Sequence, residues 1–123
     1  MVMSPAVSAI ALLCLLFWSE AFAQAKTYWY CQFSPFAKQN GMYLSDVFGP
    51  TENAISVGGS TQQNIVAAFE DFVSGKYSES GSVGCLYFNS AISANDDKKQ
   101  NEDLITKNGG RFIDTGWRYE GPP

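Results

Sequence analysis

Along residues 26–119 the alternation of apolar and polar positions changes period several times, and each change marks an element. Lys26 to Phe33 is dense in aromatic and β-branched residues, with Thr27, Tyr28, Trp29, Tyr30 and Phe33, and predicts a strand. Asn40-Gly41 suits the positive φ angles of a type I′ turn, with Pro35 widening the loop before it. Met42 to Phe48 is the returning strand, with Met42, Leu44, Asp46 and Phe48 on one face and Tyr43, Ser45 and Val47 on the other. Gly49 to Gly59 reads as a loop. Ser60 followed by Gln63 has capping-box spacing, and Ile65, Ala68, Phe69, Phe72 and Val73 then recur at helical period up to Gly75. Ser78 to Gly84 is Ser/Gly-rich loop, and Val83 to Phe88 is a third strand. Ser90 to Asn108 is a second, mostly polar helix whose apolar points are Ala91, Ala94, Leu104 and Ile105. Asn108-Gly109-Gly110 caps it. Arg111 to Tyr119 is the last strand, and residues 120–123 are a frayed tail.

The order β-β-α-β-α-β predicts an α+β domain over residues 26–119. Its economical packing is a four-stranded, mainly antiparallel sheet with two helices on one face. That short helices bury their stripe against a sheet follows from their marginal stability alone.

Residues 1–25 read as a secretory signal peptide. An apolar run from Ala6 to Trp18 is short for a membrane span, and Ala21-Phe22-Ala23 and Ala23-Gln24-Ala25 are small-x-small cleavage patterns. No Lys or Arg precedes the run. Cleavage removes Cys14 and leaves Cys31 and Cys85, which allow one intramolecular bridge in an oxidising compartment. A bridge closing about 54 residues is worth roughly 4 kcal/mol in the chain-entropy model. After cleavage no apolar stretch is long enough to span a bilayer, so a soluble periplasmic or secreted protein is expected.

Composition narrows the function. The chain carries 8 basic and 12 acidic residues, a net charge of −4, and no His. The acidic balance disfavours nucleic acid, and the missing imidazole removes His-dependent catalysis and His-ligated metals. No cofactor is expected. Ser80-Gly81-Ser82-Val83-Gly84 lacks the first Gly of a nucleophile elbow, and there is no base for Ser82. Glu70-Asp71, Asp96-Asp97 and Glu102-Asp103 are neighbours in sequence and so point apart on a helix. Asp46 and Asp114 interrupt strands and are the pair on which a small carboxylate-dependent hydrolase would depend. Asn95 to Lys99 lacks the ligand pattern of a calcium loop, and no P-loop Lys follows Gly58-Gly59-Ser60-Thr61. No catalytic or metal-binding residue is assigned.

The aromatics are the remaining candidates. Tyr28, Tyr30, Tyr43, Trp117 and Tyr119 all fall on expected strands, and a sheet covered on one face exposes about half of such residues. Exposed Tyr and Trp anchor protein interfaces and stack on sugars. The chain resembles small uncharacterised exported proteins of Gram-negative bacteria in several short motifs. These are the strand Tyr28-Trp29-Tyr30-Cys31, the strand Ser45-Asp46-Val47-Phe48, a Phe-rich helix, a second Cys at position 85, and Thr115-Gly116-Trp117 near the end. The resemblance implies a periplasmic or secreted location and supplies no catalytic residues. The reading is an exported, non-catalytic protein-interaction module, one concrete form being an inhibitor or immunity-type partner of a secreted enzyme. A cell-wall glycan-binding module using the strand aromatics is the alternative, and the small hydrolase is a third.

Overall fold

A computed structural model of the protein describes residues 26–37, 41–51 and 60–121. The signal-peptide reading of residues 1–25, Asn40 of the expected turn, the loop over 52–59 and the end of the tail lie outside the described residues. The elements are β1 (Thr27–Pro35), β2 (Met42–Leu44), β3 (Phe48–Thr51), α1 (Ser60–Tyr77), β4 (Gly81–Phe88), α2 (Ala91–Lys107) and β5 (Phe112–Asp114).

β1 is the spine of one sheet. β4 runs antiparallel along one side of it without interruption, from Tyr28 opposite Phe88 to Pro35 opposite Gly81. β2 and β3 lie antiparallel along the other side, and β5 pairs with β2 in parallel. The α+β class is as the sequence suggests, with five strands in place of four. The expected strand Met42 to Phe48 is broken in two. Gln32 faces Leu44 and Trp29 faces Phe48, so the returning chain holds one residue more than β1 between these pairs. That extra residue is a bulge, and it turns Phe48 to the face opposite Leu44. Ser45, fully buried, bridges the break: its N–H donates to the Cys31 carbonyl at 3.0 Å and its Oγ accepts from the Cys31 N–H at 2.7 Å.

The expectation that both helices share one face is corrected. Ile65, Phe69 and Val73 of α1 form a core cluster with Trp29, Cys31 and Phe33. α2 reaches the alternate residues of the same strand, where Tyr30 Oη donates to Asp97 at 2.6 Å and Asn101 Nδ2 donates to Gln32 Oε1 at 2.6 Å. Successive residues of a strand point to opposite faces. The two helices therefore sandwich the sheet. The cause is in β1 and β2: Trp29, Cys31 and Phe33 on one face and Tyr30 and Leu44 on the other are all apolar groups in need of cover.

α2 begins at an N-cap, Ser90, whose side chain accepts from the Ser93 N–H at 3.1 Å. It ends with Gly109 at φ 83°, where the Gly109 and Gly110 N–H groups bond the carbonyls of Thr106 and Ile105. The last strand is shorter than its expected span of Arg111 to Tyr119. Gly116 at φ 70° bends the chain after β5, yet the Thr115 N–H still donates to Leu44 and the Trp117 carbonyl accepts from the Asp46 N–H. This return places Trp117 on the α1 face. The Cys31–Cys85 disulfide is formed between directly opposed residues of β1 and β4, with Cα atoms 4.0 Å apart, inside the α1-face core.

Candidate functional site

The five aromatic candidates do not share a surface. Tyr30 is 2% exposed and Tyr43 5%, so both are structural groups beneath the helices. Tyr30 lies on the α2 face and stacks on Phe88. Tyr43 lies on the α1 face, edge-on to Phe33 and against Tyr77. Trp117 is half-buried, with its ring centroid 5.0 Å from Phe69 and 5.6 Å from Phe48. Tyr119 packs beside it at 6.3 Å. Tyr28 is half-buried at the far end of the α2 face, in a small cavity with Asn95, Lys98 and Arg118.

Burial shapes the phenols. Burial first, and then the hydrogen bond and charge of Asp97, hold the Tyr30 hydroxyl well above the usual tyrosine range. Burial first, and then Glu79, raise that of Tyr43, whose Oη lies 3.4 Å from a Glu79 oxygen. Both rings are neutral hydrogen-bond donors at physiological pH. Of the two strand carboxylates, Asp114 pairs with Lys98 Nζ at 3.4 Å, and Asp46 lines the Tyr28 cavity. No group of three or more Cys, Asp or Glu among the described residues is arranged to hold a metal ion.

Among the described residues, two places stand out for meeting a ligand. The first is an open cavity of about 670 Å³ between β3, the start of α1 and residues 118–121. Phe48, Thr51, Asn64, Arg118, Tyr119 and Glu120 line it. Of the five aromatic candidates, Tyr119 alone lines this cavity. The second is the outer edge of β4, with its side chains Leu86 at 53% and Tyr87 at 47% exposure. No strand among the described residues pairs with this edge. Gly81–Phe88 contains no charge and no Pro, and its register with β1 has no bulge. Proteins ordinarily blunt long edges with such devices.

The β4 edge is absent from the sequence reading, because edge position follows from pairing and not from local pattern. The uncharged run from Gly81 to Phe88 was its available signal. No family model, curated protein or solved structure matches the chain. Among the described residues no helix is long and apolar enough to cross a membrane.

Proposed function

We propose that this protein is an exported, non-catalytic protein-interaction module, working in the periplasm or outside the cell, one concrete form being an inhibitor or immunity-type partner of a secreted enzyme. The observation that carries the reading is the long, uncharged, unbulged outer edge of β4, flanked by exposed Leu86 and Tyr87. An open edge of this kind takes an extended segment of a partner by main-chain hydrogen bonds. The disulfide and the cleavage patterns before residue 26 favour an oxidising compartment. The test is affinity capture from the exported protein fraction, run beside a Val83→Pro variant. A saturable partner, lost with the variant while the circular dichroism is unchanged, supports the reading. Capture that is indifferent to the variant, or that never saturates, sinks it.

The cavity at Tyr119 favours a second reading. A half-buried ring beside Arg118, Asn64 and Glu120 combines a stacking surface with planar polar groups, as sugar sites do. Sedimentation with purified peptidoglycan, abolished by Tyr119→Ala, would favour this glycan-binding role. No cosedimentation at any protein concentration removes it.

A further inference from the structure

The pairing of β1 fixes which main-chain groups of β4 face outward. Cys31 spends both its N–H and its carbonyl on Ser45, on the β2 side. Cys85, directly opposite, therefore turns its own N–H and C=O away from β1, and Val83 and Tyr87 follow at period two. One of these groups is already engaged: Gln62 Nε2, from the first turns of α1, donates to the Cys85 carbonyl at 3.0 Å. A side-chain amide thus holds the place that a main-chain N–H of a neighbouring strand would take.

A cavity of about 470 Å³ extends from Gln62 and Val66 of α1, across Gly84 and Leu86 of β4, to Tyr30 and Gln32 of β1. A Cβ built at Gly84 meets nothing within 4 Å, so the sheet face over Gly84 is uncovered. No Lys or Arg is among the described residues that line the slot. Asp97 accepts a hydrogen bond from Tyr30 Oη, and Tyr30 lines the slot. Glu70, exposed, lies one helical turn beyond Val66 on the row that begins at Gln62. Lys76 itself is held over the rings of Phe72 and Tyr77.

We propose that the β4 edge docks an extended, basic segment of another protein as an added strand, and that Gln62 is the gate it displaces. This rests on the strand-addition reading above and deepens it by naming the partner's chemistry. A second copy of the chain is the less suitable occupant. It would bring its own acidic flank to the same place, and the Cys85 carbonyl of each copy is already capped.

The test uses the purified full chain and two capped peptides, one alternating Lys with Val and one alternating Glu with Val. Binding is followed by amide hydrogen exchange and by titration at low and high salt. The Lys/Val peptide is expected to protect the N–H groups of Val83, Cys85 and Tyr87. The Glu/Val peptide is expected to bind at least about tenfold more weakly, and salt to narrow that gap. Val83→Pro removes an outward N–H, a position where an edge strand tolerates proline, and abolishes protection. Should that variant not fold, a Lys/Val peptide N-methylated along one edge tests the same bonds on the unaltered protein, and its binding would refute them. Gln62→Ala should tighten Lys/Val binding several-fold; unchanged affinity overturns the gate. Equal protection by both peptides overturns the basic partner and leaves strand addition standing. No protection by either peptide, with the protein folded, overturns both. Protection of the same amides that rises with protein concentration alone makes the occupant a second copy, and the proposal fails.

Discussion

On the α1 face the sheet presents Trp29, Cys31, Phe33, Tyr43, Phe48 and Cys85, and the helix answers with Ile65, Phe69 and Val73. On the α2 face the buried apolar groups are Tyr30, Leu44 and Ala94, and the helix answers with Asp97, Asn101 and Lys98. One layer is held by area and ring packing, the other by a small apolar centre ringed with directional bonds. The teaching is that a polar helix can cover a buried face when the strand beneath offers it partners. Tyr30 and Gln32 do so here, and no buried side-chain polar atom among the described residues lacks a hydrogen bond.

The comparison predicts unequal costs. Phe69→Ala removes a fully buried ring that touches Phe72 and Trp117, and Trp29→Ala removes the largest group in the same core. Either should cost about 3–5 kcal/mol, enough to unfold a marginal domain of this size. Thermal denaturation checks this, and a loss below about 1 kcal/mol would show that the α1 face is not the principal core. Next is the staple. Replacing Cys31 and Cys85 together with Ala should cost about 2–5 kcal/mol, because the bridge closes 54 residues of separation within that face. Denaturant midpoints with and without reductant measure it on the unaltered chain.

How much of this was legible follows from the same contrast. α1 was readable because its stripe, Ile65, Phe69 and Val73, has one period and one partner. The disulfide was readable because only two cysteines follow the expected cleavage site. The placement of α2 was not readable. Its contacts are made by Asp97 and Asn101, residues that look solvated in sequence, and only the burial of Tyr30 and Leu44 reveals that the second face needs a cover. The aromatic candidates failed as a joint surface for a related reason. β1 is aromatic on both faces, so counting its rings cannot say which are covered. The break between Leu44 and Phe48 reverses a face through one extra residue, which alternation alone cannot detect.

On the α2 face the expected losses are smaller. Tyr30→Phe keeps the ring stacked on Phe88 and removes only the bond to Asp97. A half-exposed carboxylate recovers water in place of the phenol, so the cost should sit near 1 kcal/mol. A loss as large as that of Phe69→Ala would mean that the bond, and not the apolar centre, holds α2 in place. The pH dependence has a fixed sign. The folded phenols of Tyr30 and Tyr43 are raised above their unfolded value of about 10. Their contribution is therefore complete below that value. It is lost as pH rises above it, because the unfolded chain then sheds protons that the folded chain keeps. Stability measured by urea titration should fall through this alkaline window, and less steeply in Tyr30→Phe.

The smallest effect sharpens the contrast most. Lys98 Nζ pairs with Asp114 at 3.4 Å, with the lysine side chain 11% exposed and the aspartate 51%. Solvent reaches one partner freely, so the ion pair is worth at most about 1 kcal/mol. The lysine side chain is nonetheless largely buried, at 11% exposure, and a long stem of this kind can cover apolar surface. Lys98→Met keeps the stem and deletes the charge, whereas Lys98→Ala deletes both. If the polar rim of this face acts through its bonds, both variants should lose the same few tenths of a kcal/mol, and added salt should erase the difference from wild type. If it acts by covering apolar surface, Lys98→Met should equal wild type at every salt concentration and Lys98→Ala alone should lose stability. The second result would make the two faces alike in kind, one covered by rings and the other by the stems of charged residues, and would leave the Tyr30–Asp97 and Asn101–Gln32 bonds as the directional contacts that set them apart.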